Sequence, residues 1–480
     1  MAEFIVAIEL GSSKMTGVAG KKNLDGSINV LAVVKEDSSS FIRKGVVNNI
    51  DKTALCITNI INKLTSQLKT EITQVYVGVG GQSIRSIRNV ITKDLPTDTK
   101  VTQDMVIELM DANRSMKYPD QEILDAAVQE YKVDSQIQLD PVGIQCSRLE
   151  GNFLNILQRT KFYKSLNTCF ENAGINVAEM YLAPLALADS VLTEAERRSG
   201  CALIDIGYDT TTVSVYTKNI LRHLSVIPLG SNNITKDIAS LQMEESVAEK
   251  MKLKYACAYT DNEDIDNSLV FPIDAERSIE SRKFIEIVEG RLEEIIENVW
   301  NQISTEYKNN LLGGLILTGG GSNMKNIEKA FGNYTRIEKI RVAKFVNHTI
   351  TSTDPNINAK NGTMNTVLGL LAKGDINCAG DEVDANRNLF DPVKPHPIGT
   401  ETRTKARTAT ETPTGVVRTE AEKQQAEEEA RRKREEEERL EREKAEEEAR
   451  RIAEEKKKNS PLNKGLRWFK KMAEKLTEPE

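Results

Sequence analysis

One pattern occurs twice: an apolar run ends in an acidic residue, a small polar turn follows, and a second apolar run resumes. The first copy is Phe4–Leu10 with Glu9, then Gly11-Ser12-Ser13-Lys14, then Met15–Ala19. The second is Cys201–Asp205, then a turn carrying Gly207, Tyr208, Asp209 and Thr210, then a run to Tyr216. Short, β-branched apolar runs bounded by such turns read as strands. The second segment thus repeats the pattern of the first, and strands alternating with helical stretches read as an α/β chain. Further strands are expected at Asn29–Val34, Gln74–Val79 and Leu311–Thr318. Helices are expected at Lys52–Leu68, Phe162–Ala173, Ala183–Glu196, Phe284–Ile303 and Gly362–Leu371, from apolar spacing of three and four.

Three turns carry the chemistry. Gly11-Ser12-Ser13-Lys14 offers backbone N–H groups, hydroxyls and a lysine, a set suited to phosphate oxygens, although a plain hairpin has the same look. Asp205 ends an apolar strand, where a carboxylate needs a counterion such as Mg²⁺, held through water, or a polar network. An acidic hairpin turn is the alternative there. Gly319-Gly320-Gly321-Ser322 follows the third strand and lets the backbone approach a ligand, with a generic strand-to-helix turn as its alternative. Their order along the chain is more specific than any one of them.

Between the strand Gln74–Val79 and residue 159 lies material of a different kind. Residues 82–158 read as an inserted α+β unit: strands Ile84–Ile91 and Ile137–Cys146 flank a helix, Gln103–Met116, after a Thr102 cap. Net charge is −7, which argues against a general nucleic-acid binder. Six cysteines lie far apart and there are three histidines, so neither a disulfide framework nor a zinc site is readable. The N-terminus lacks a basic start and Glu9 interrupts its apolar run, so no signal peptide is expected. No apolar run reaches the ~18 residues that a spanning helix needs.

Composition changes past residue 378. Residues 379–419 read as a flexible linker, with Pro392, Pro395, Pro397 and Pro413 among many threonines. Residues 420–458 hold 16 Glu against 13 Lys and Arg, spaced for i,i+4 pairing on a solvent-exposed helix that would reach about 60 Å. Residues 460–480 recover apolar content. At 100° per residue, Leu462, Leu466, Phe469, Met472, Ala473 and Leu476 share an arc of about 120°. Lys464, Arg467, Lys470, Lys471 and Glu474 lie opposite, with Trp468 and Lys475 on one flank. Ser460-Pro461 supplies a helix start. This helix is expected to lie in an anionic membrane interface, docking onto the protein's own body being the alternative.

The ordered set of three turns resembles the actin-like ATPase superfamily, with two phosphate loops and an adenosine loop. The insert, together with Lys44-Gly45-Val46-Val47, Leu192–Arg197, Ile316–Gly320, Val367–Leu371 and the basic Trp-containing tail, resembles the FtsA family of bacterial cell-division proteins. That resemblance implies duplicated RNase H-like halves. Residues 1–81, 159–200 and 355–378 would form the first half, 82–158 the subdomain 1C, and 201–354 the second half. It implies ATP with Mg²⁺ as ligands. Gly11, Ser12, Ser13 and Lys14 would form the first phosphate loop, Asp205, Gly207, Thr210 and Thr211 the second, and Gly319, Gly320, Gly321 and Ser322 the adenosine loop. Glu249 and Lys252 would reach the ribose and adenine, or else form an exposed i,i+3 ion pair. Tyr208 and Asp209 stand where the family usually has glycines, so hydrolysis is expected to be slow at most.

Arg291, in the helix 284–303, resembles the position that holds the tail peptide of FtsZ; a plain surface arginine is the alternative. The expected partners are that peptide, further copies of the chain, other division proteins and an anionic membrane surface. The membrane contact is assigned to Leu462, Leu466, Arg467, Trp468, Phe469, Lys470, Lys471, Met472 and Leu476. The expected place is the cytoplasmic face of the cell membrane at the division site. A pilus-assembly actin homologue and a sugar kinase of the same superfamily are the competing readings. The kinase would need a catalytic carboxylate in a substrate cleft and leaves the basic tail unexplained.

Overall fold

Apolar residues at nearly every position of Phe4–Ile8 and Cys201–Ile204 demand strands covered on both faces, and both runs are buried sheet strands. The computed structural model describes residues 3–382 and 415–426, together with 428, 431, 432 and 439.

Each half begins with a three-strand antiparallel meander followed by parallel strands. In the first half, Glu3–Leu10, Lys14–Lys22 and Ile28–Asp37 form the meander. Gln74–Val79 then pairs parallel to Glu3–Leu10, and Asn176–Leu182 pairs parallel to Gln74–Val79. In the second half the meander is Cys201–Ile206, Thr211–Thr217 and Ile220–Ile227. Gly314–Thr318 and Ile340–Val342 continue it in parallel. The duplicated halves that the resemblance implies are therefore present strand for strand. Helices Ile50–Leu68, Thr160–Ala173, Ala183–Val191 and Asn365–Lys373 accompany the first sheet, and Ser281–Gln302 the second. Two apolar clusters result: one fills the first half and continues onto Leu203, Tyr216, Leu221 and Ile316 of the second half's sheet, and the other lies within the second half.

The insert has its own apolar core, built on Val106, Leu109, Met110, Tyr131, Leu149 and Phe153. Its strands Arg85–Lys100, Gln145–Arg159 and Gln121–Val133 form one antiparallel layer against the helix Gln103–Arg114. This layer joins the second half's sheet through the pair Ser225 and Arg85.

The structure differs from the sequence expectation at three places. The strand expected at Ile137–Cys146 is mostly a turn: Asp140-Pro141 and Gly143 (φ +90°) break it, and Ile137 and Leu139 are exposed. The strand Gln121–Val133 carries the pairing instead. Its register shifts opposite Asn152–Phe153 and Ile156–Leu157 bury Leu124–Gln129 without alternation, so no period of two is visible. The helix expected at Ala183–Glu196 breaks at Leu192. Thr193 caps a new helix, Glu194–Ser199, and Glu196 returns the bond to the Thr193 N–H at 2.8 Å. Finally, the span read as a linker is strand at both ends. Ala379–Glu382 pairs with Thr70–Ile72, and Val416–Val417 adds to the edge of the first sheet beside Asn176–Leu182.

The charged segment is a separate unit, from Thr419 onward. Thr419 and Glu422 form a reciprocal cap, residues 420–426 are helical, and Arg432 pairs with Glu428 at 2.8 Å, the expected i,i+4 spacing. The membrane helix expected at 460–480, with all its named residues, lies outside the described residues. No helix among the described residues is long and apolar enough to cross a membrane.

Candidate nucleotide cleft and partner surface

The first turn is held from behind. Ser38, fully buried at the end of the third strand, donates from Oγ to Gly11 O at 2.6 Å and from its N–H to Ser13 O at 3.1 Å. Ser12 Oγ accepts from Gly45 N–H at 2.7 Å. These bonds fix the loop backbone and leave Lys14 exposed above it. Sequence reading did not assign Ser38; the run Ser38-Ser39-Ser40 straight after a strand was the available signal.

The second turn closes through Gly207 N–H to Thr210 O at 2.8 Å. Asp205 sits at its base. Thr211 is buried, and its hydroxyl donates to Leu229 O at 2.9 Å, so it braces the turn from inside. Asp209 accepts from Asn232 Nδ2 at 3.0 Å and from Lys44 N–H at 3.1 Å. The Asp209 carboxylate thus ties the second half's turn to the Lys44-Gly45 loop of the first.

The third turn lies directly beside the second, because Gly314–Thr318 pairs parallel to Cys201–Ile206 with Thr318 opposite Asp205. Gly319 has φ +84° and ψ 172°, a conformation reserved almost wholly for glycine. A Cβ there would collide with Asp205 Oδ1 and sit 2.6 Å from Ile206 O. Gly320–Asn323 makes a short 3₁₀ turn, within which Ser322 Oγ donates to Gly319 O at 2.7 Å. Ser322 is buried and serves the turn itself. Gly320 is exposed.

The electrostatics of the cleft centre on two acids. Glu9, at the end of the first strand, is pushed up to about 8, first by desolvation and then by the nearby Asp205 charge. Thr366 and Val367, in the first turn of Asn365–Lys373, hydrogen-bond its carboxyl group and oppose the shift. Asp205 is pushed up to about 6 by desolvation. Two desolvated carboxyl groups, one of them raised further by the other's charge, favour a bound cation. Oxygen donors of this type suit Mg²⁺ held through its waters, so the residues present fit that ion.

Glu249 and Lys252 are not an exposed pair. Lys252 is 6% exposed; its Nζ donates to Glu249 Oε2 at 2.8 Å, Thr235 Oγ1 at 2.8 Å and Ser231 O at 3.1 Å. Desolvation holds its pKa below the ordinary lysine value, against the pull of Glu249. Ser231 N–H in turn donates to Gly207 O at 3.0 Å, so the pair stands one bond behind the second turn.

Arg291 lies apart from this cleft, on Ser281–Gln302. It is already engaged: Nε meets Asp237 Oδ2 at 2.5 Å, Nη2 meets Asp237 Oδ1 at 3.2 Å, and Nη1 pairs with Glu294. These groups line a shallow surface hollow with Ser240, Ile287 and Gly290.

Comparison with known proteins places this geometry. The profile described as cell division protein FtsA matches residues 202–367, and that of the SHS2 domain inserted in FtsA matches 81–157. The chain is 32% identical over 346 residues to the cell division protein FtsA of Porphyromonas gingivalis, covering 70% of this chain and 72% of that one. It is 32% identical to the FtsA of Neisseria meningitidis, covering 68% of this chain and 80% of that one. Among solved structures, the PilM-PilN type IV pilus biogenesis complex superposes with a TM-score of 0.51 at 15% identity, over 77% of this chain and 97% of that one. That likeness concerns the fold, which is actin-like with an inserted subdomain. The sequence matches go further: the chain belongs to the FtsA family of cell-division proteins.

Proposed function

We propose that the protein binds Mg·ATP between its two halves, assembles with further copies of itself, and links FtsZ filaments to the cytoplasmic face of the membrane through residues 460–480. The observation that carries the nucleotide reading is the meeting of Glu9, Asp205 and Gly319 at the ends of strands from both sheets. Bound Mg²⁺ would neutralise phosphate charge, and Asp205 would hold its water shell with Glu9 opposite. The backbones of Gly11–Lys14 and Gly207–Thr210 would receive phosphate oxygens, and Gly319–Gly321 would lie along the adenosine. Ser38, Thr211, Ser322 and the Glu249–Lys252 pair hold these loops in shape. No histidine lies in these loops, and Asp209 is spent on Lys44 and Asn232, which supports slow turnover at most.

Arg291 is the proposed anchor for the acidic tail peptide of FtsZ, with Asp237 and Glu294 as the groups the peptide must displace. Family membership, at the identity of the relatives above, favours this reading over the pilus-type and sugar-kinase alternatives. The test of the cleft is Asp205→Ala in a fluorescence titration with Mg·ATP. Binding should be abolished; equal affinity in variant and wild type would remove the assignment.

A further inference from the structure

After Glu382 the chain returns to the body at Gly415–Arg418, before the charged segment begins. The contact is built from several elements. Val416 and Val417 pair antiparallel with Tyr181 and Met180, on the strand at the edge of the first sheet. Leu182 N–H donates to Gly415 O at 2.6 Å. Gly415 N–H donates to Asp125 Oδ2 at 2.8 Å, and Asp125, 3% exposed, belongs to the insert strand Gln121–Val133. Tyr163 Oη, on Thr160–Ala173, donates to Arg418 O. Val417 is 1% exposed and belongs to the core of the first half. Gly415 has φ +75°, which turns the backbone into this register.

We infer that Gly415–Arg418 is a docking strand that fixes the root of the charged segment at the joint of the first-half sheet, the helix Thr160–Ala173 and the insert. Two properties of the site support this. An open sheet edge accepts any extended segment, and here a segment of the same chain occupies it with a buried valine and bonds to three elements. The strand is also short, so its occupancy depends on being tethered to the body by the same chain. The consequence for attachment rests on the membrane-linking reading. With the strand docked, the chain leaves the first-half sheet at Arg418, and the reach to the membrane starts there.

Hydrogen exchange on the full chain tests the docking. The amides of Leu182 and Val417 should exchange at least a hundredfold more slowly than an unstructured chain. Val417→Asp should abolish that protection while leaving the buried strand Glu3–Leu10 protected. Asp125→Asn, which keeps the shape, should speed exchange of the Gly415 amide about tenfold or more. Exchange of residues 415–418 at the unstructured rate in the wild type would overturn the inference, and so would unchanged protection in Val417→Asp. Liposome sedimentation of the same variant is read separately. Val417→Asp that still pellets while losing protection upholds both readings. A wild type that is protected but does not pellet upholds the docking and removes the membrane reading.

Discussion

Gly319→Ala should disable nucleotide binding through one added methyl group. The residue stands at φ +84° and ψ 172°, where a non-glycine residue costs about 1–3 kcal/mol. The new Cβ would also sit 2.6 Å from Ile206 O and collide with Asp205 Oδ1, below the 3.0 Å that real Cβ atoms respect. Relief requires the third turn to lift or Asp205 to swing. Displacing the Asp205 carboxylate from the proposed water shell of Mg²⁺ would remove a charge-assisted contact of about 1.5–3 kcal/mol. Mg·ATP affinity should therefore fall about tenfold to a hundredfold. The backbone term should lower the melting temperature by several degrees, at about 2–4 °C per kcal/mol for a body of this size. Gly320→Ala is the internal comparison: its nearest contact would be Thr363 Cγ2 at 3.7 Å, an ordinary distance, and it has no positive φ. Fluorescence titration and thermal melts on both variants make the measurement. Wild-type affinity and melting in Gly319→Ala would refute the placement of Gly319 against Asp205 and the part assigned to that contact.

The remaining predictions concern charge. Glu9 binds its proton more tightly in the folded chain than in the unfolded one, rising from 4.5 to about 8. Its contribution is therefore full below about pH 4.5 and lost as pH rises through 8, so the nucleotide-free protein should lose stability across that window. Glu9→Gln should flatten the loss in denaturant melts, and an unchanged slope would contradict the burial argument. Mg·ATP favours the ionised carboxyls, so calorimetry in buffers of different ionisation enthalpy should detect proton release on binding near pH 7; no buffer dependence would count against the two-acid site. Arg291→Glu should weaken FtsZ tail-peptide binding about tenfold or more, whereas Asp237→Asn should strengthen it by freeing the guanidinium. An unchanged dissociation constant in both would move the peptide elsewhere.

The duplicated framework was legible because its signals are local. Apolar runs that end in Glu9 and Asp205, followed by glycine turns, mark buried strands without any knowledge of their neighbours. The three loops could be ordered along the chain but not brought together, since only strand pairing sets Thr318 opposite Asp205. Ser38 and Asn232 escaped notice for the same reason: each acts through hydrogen bonds to a loop that is remote in sequence or in another element. Glu249 and Lys252 had the spacing of a surface ion pair, and only the packing of Ser231–Ala239 against their helix buries the lysine. The strand Gln121–Val133 hid behind bulges that remove alternation. Val416-Val417 hid because two valines in a threonine- and proline-rich stretch carry no period at all. Arg291 was picked out by its resemblance to a peptide-binding position, but its pairing with Asp237 depends on a residue from another helix.

In the proposed role, one chain joins FtsZ to a membrane. Sedimentation with anionic liposomes, FtsZ and ATP measures it directly, using the full chain and a chain lacking residues 460–480. The full chain should carry FtsZ into the pellet, and the shortened chain should leave both proteins in the supernatant while still binding nucleotide. Equal pelleting of FtsZ with the two chains would contradict the account.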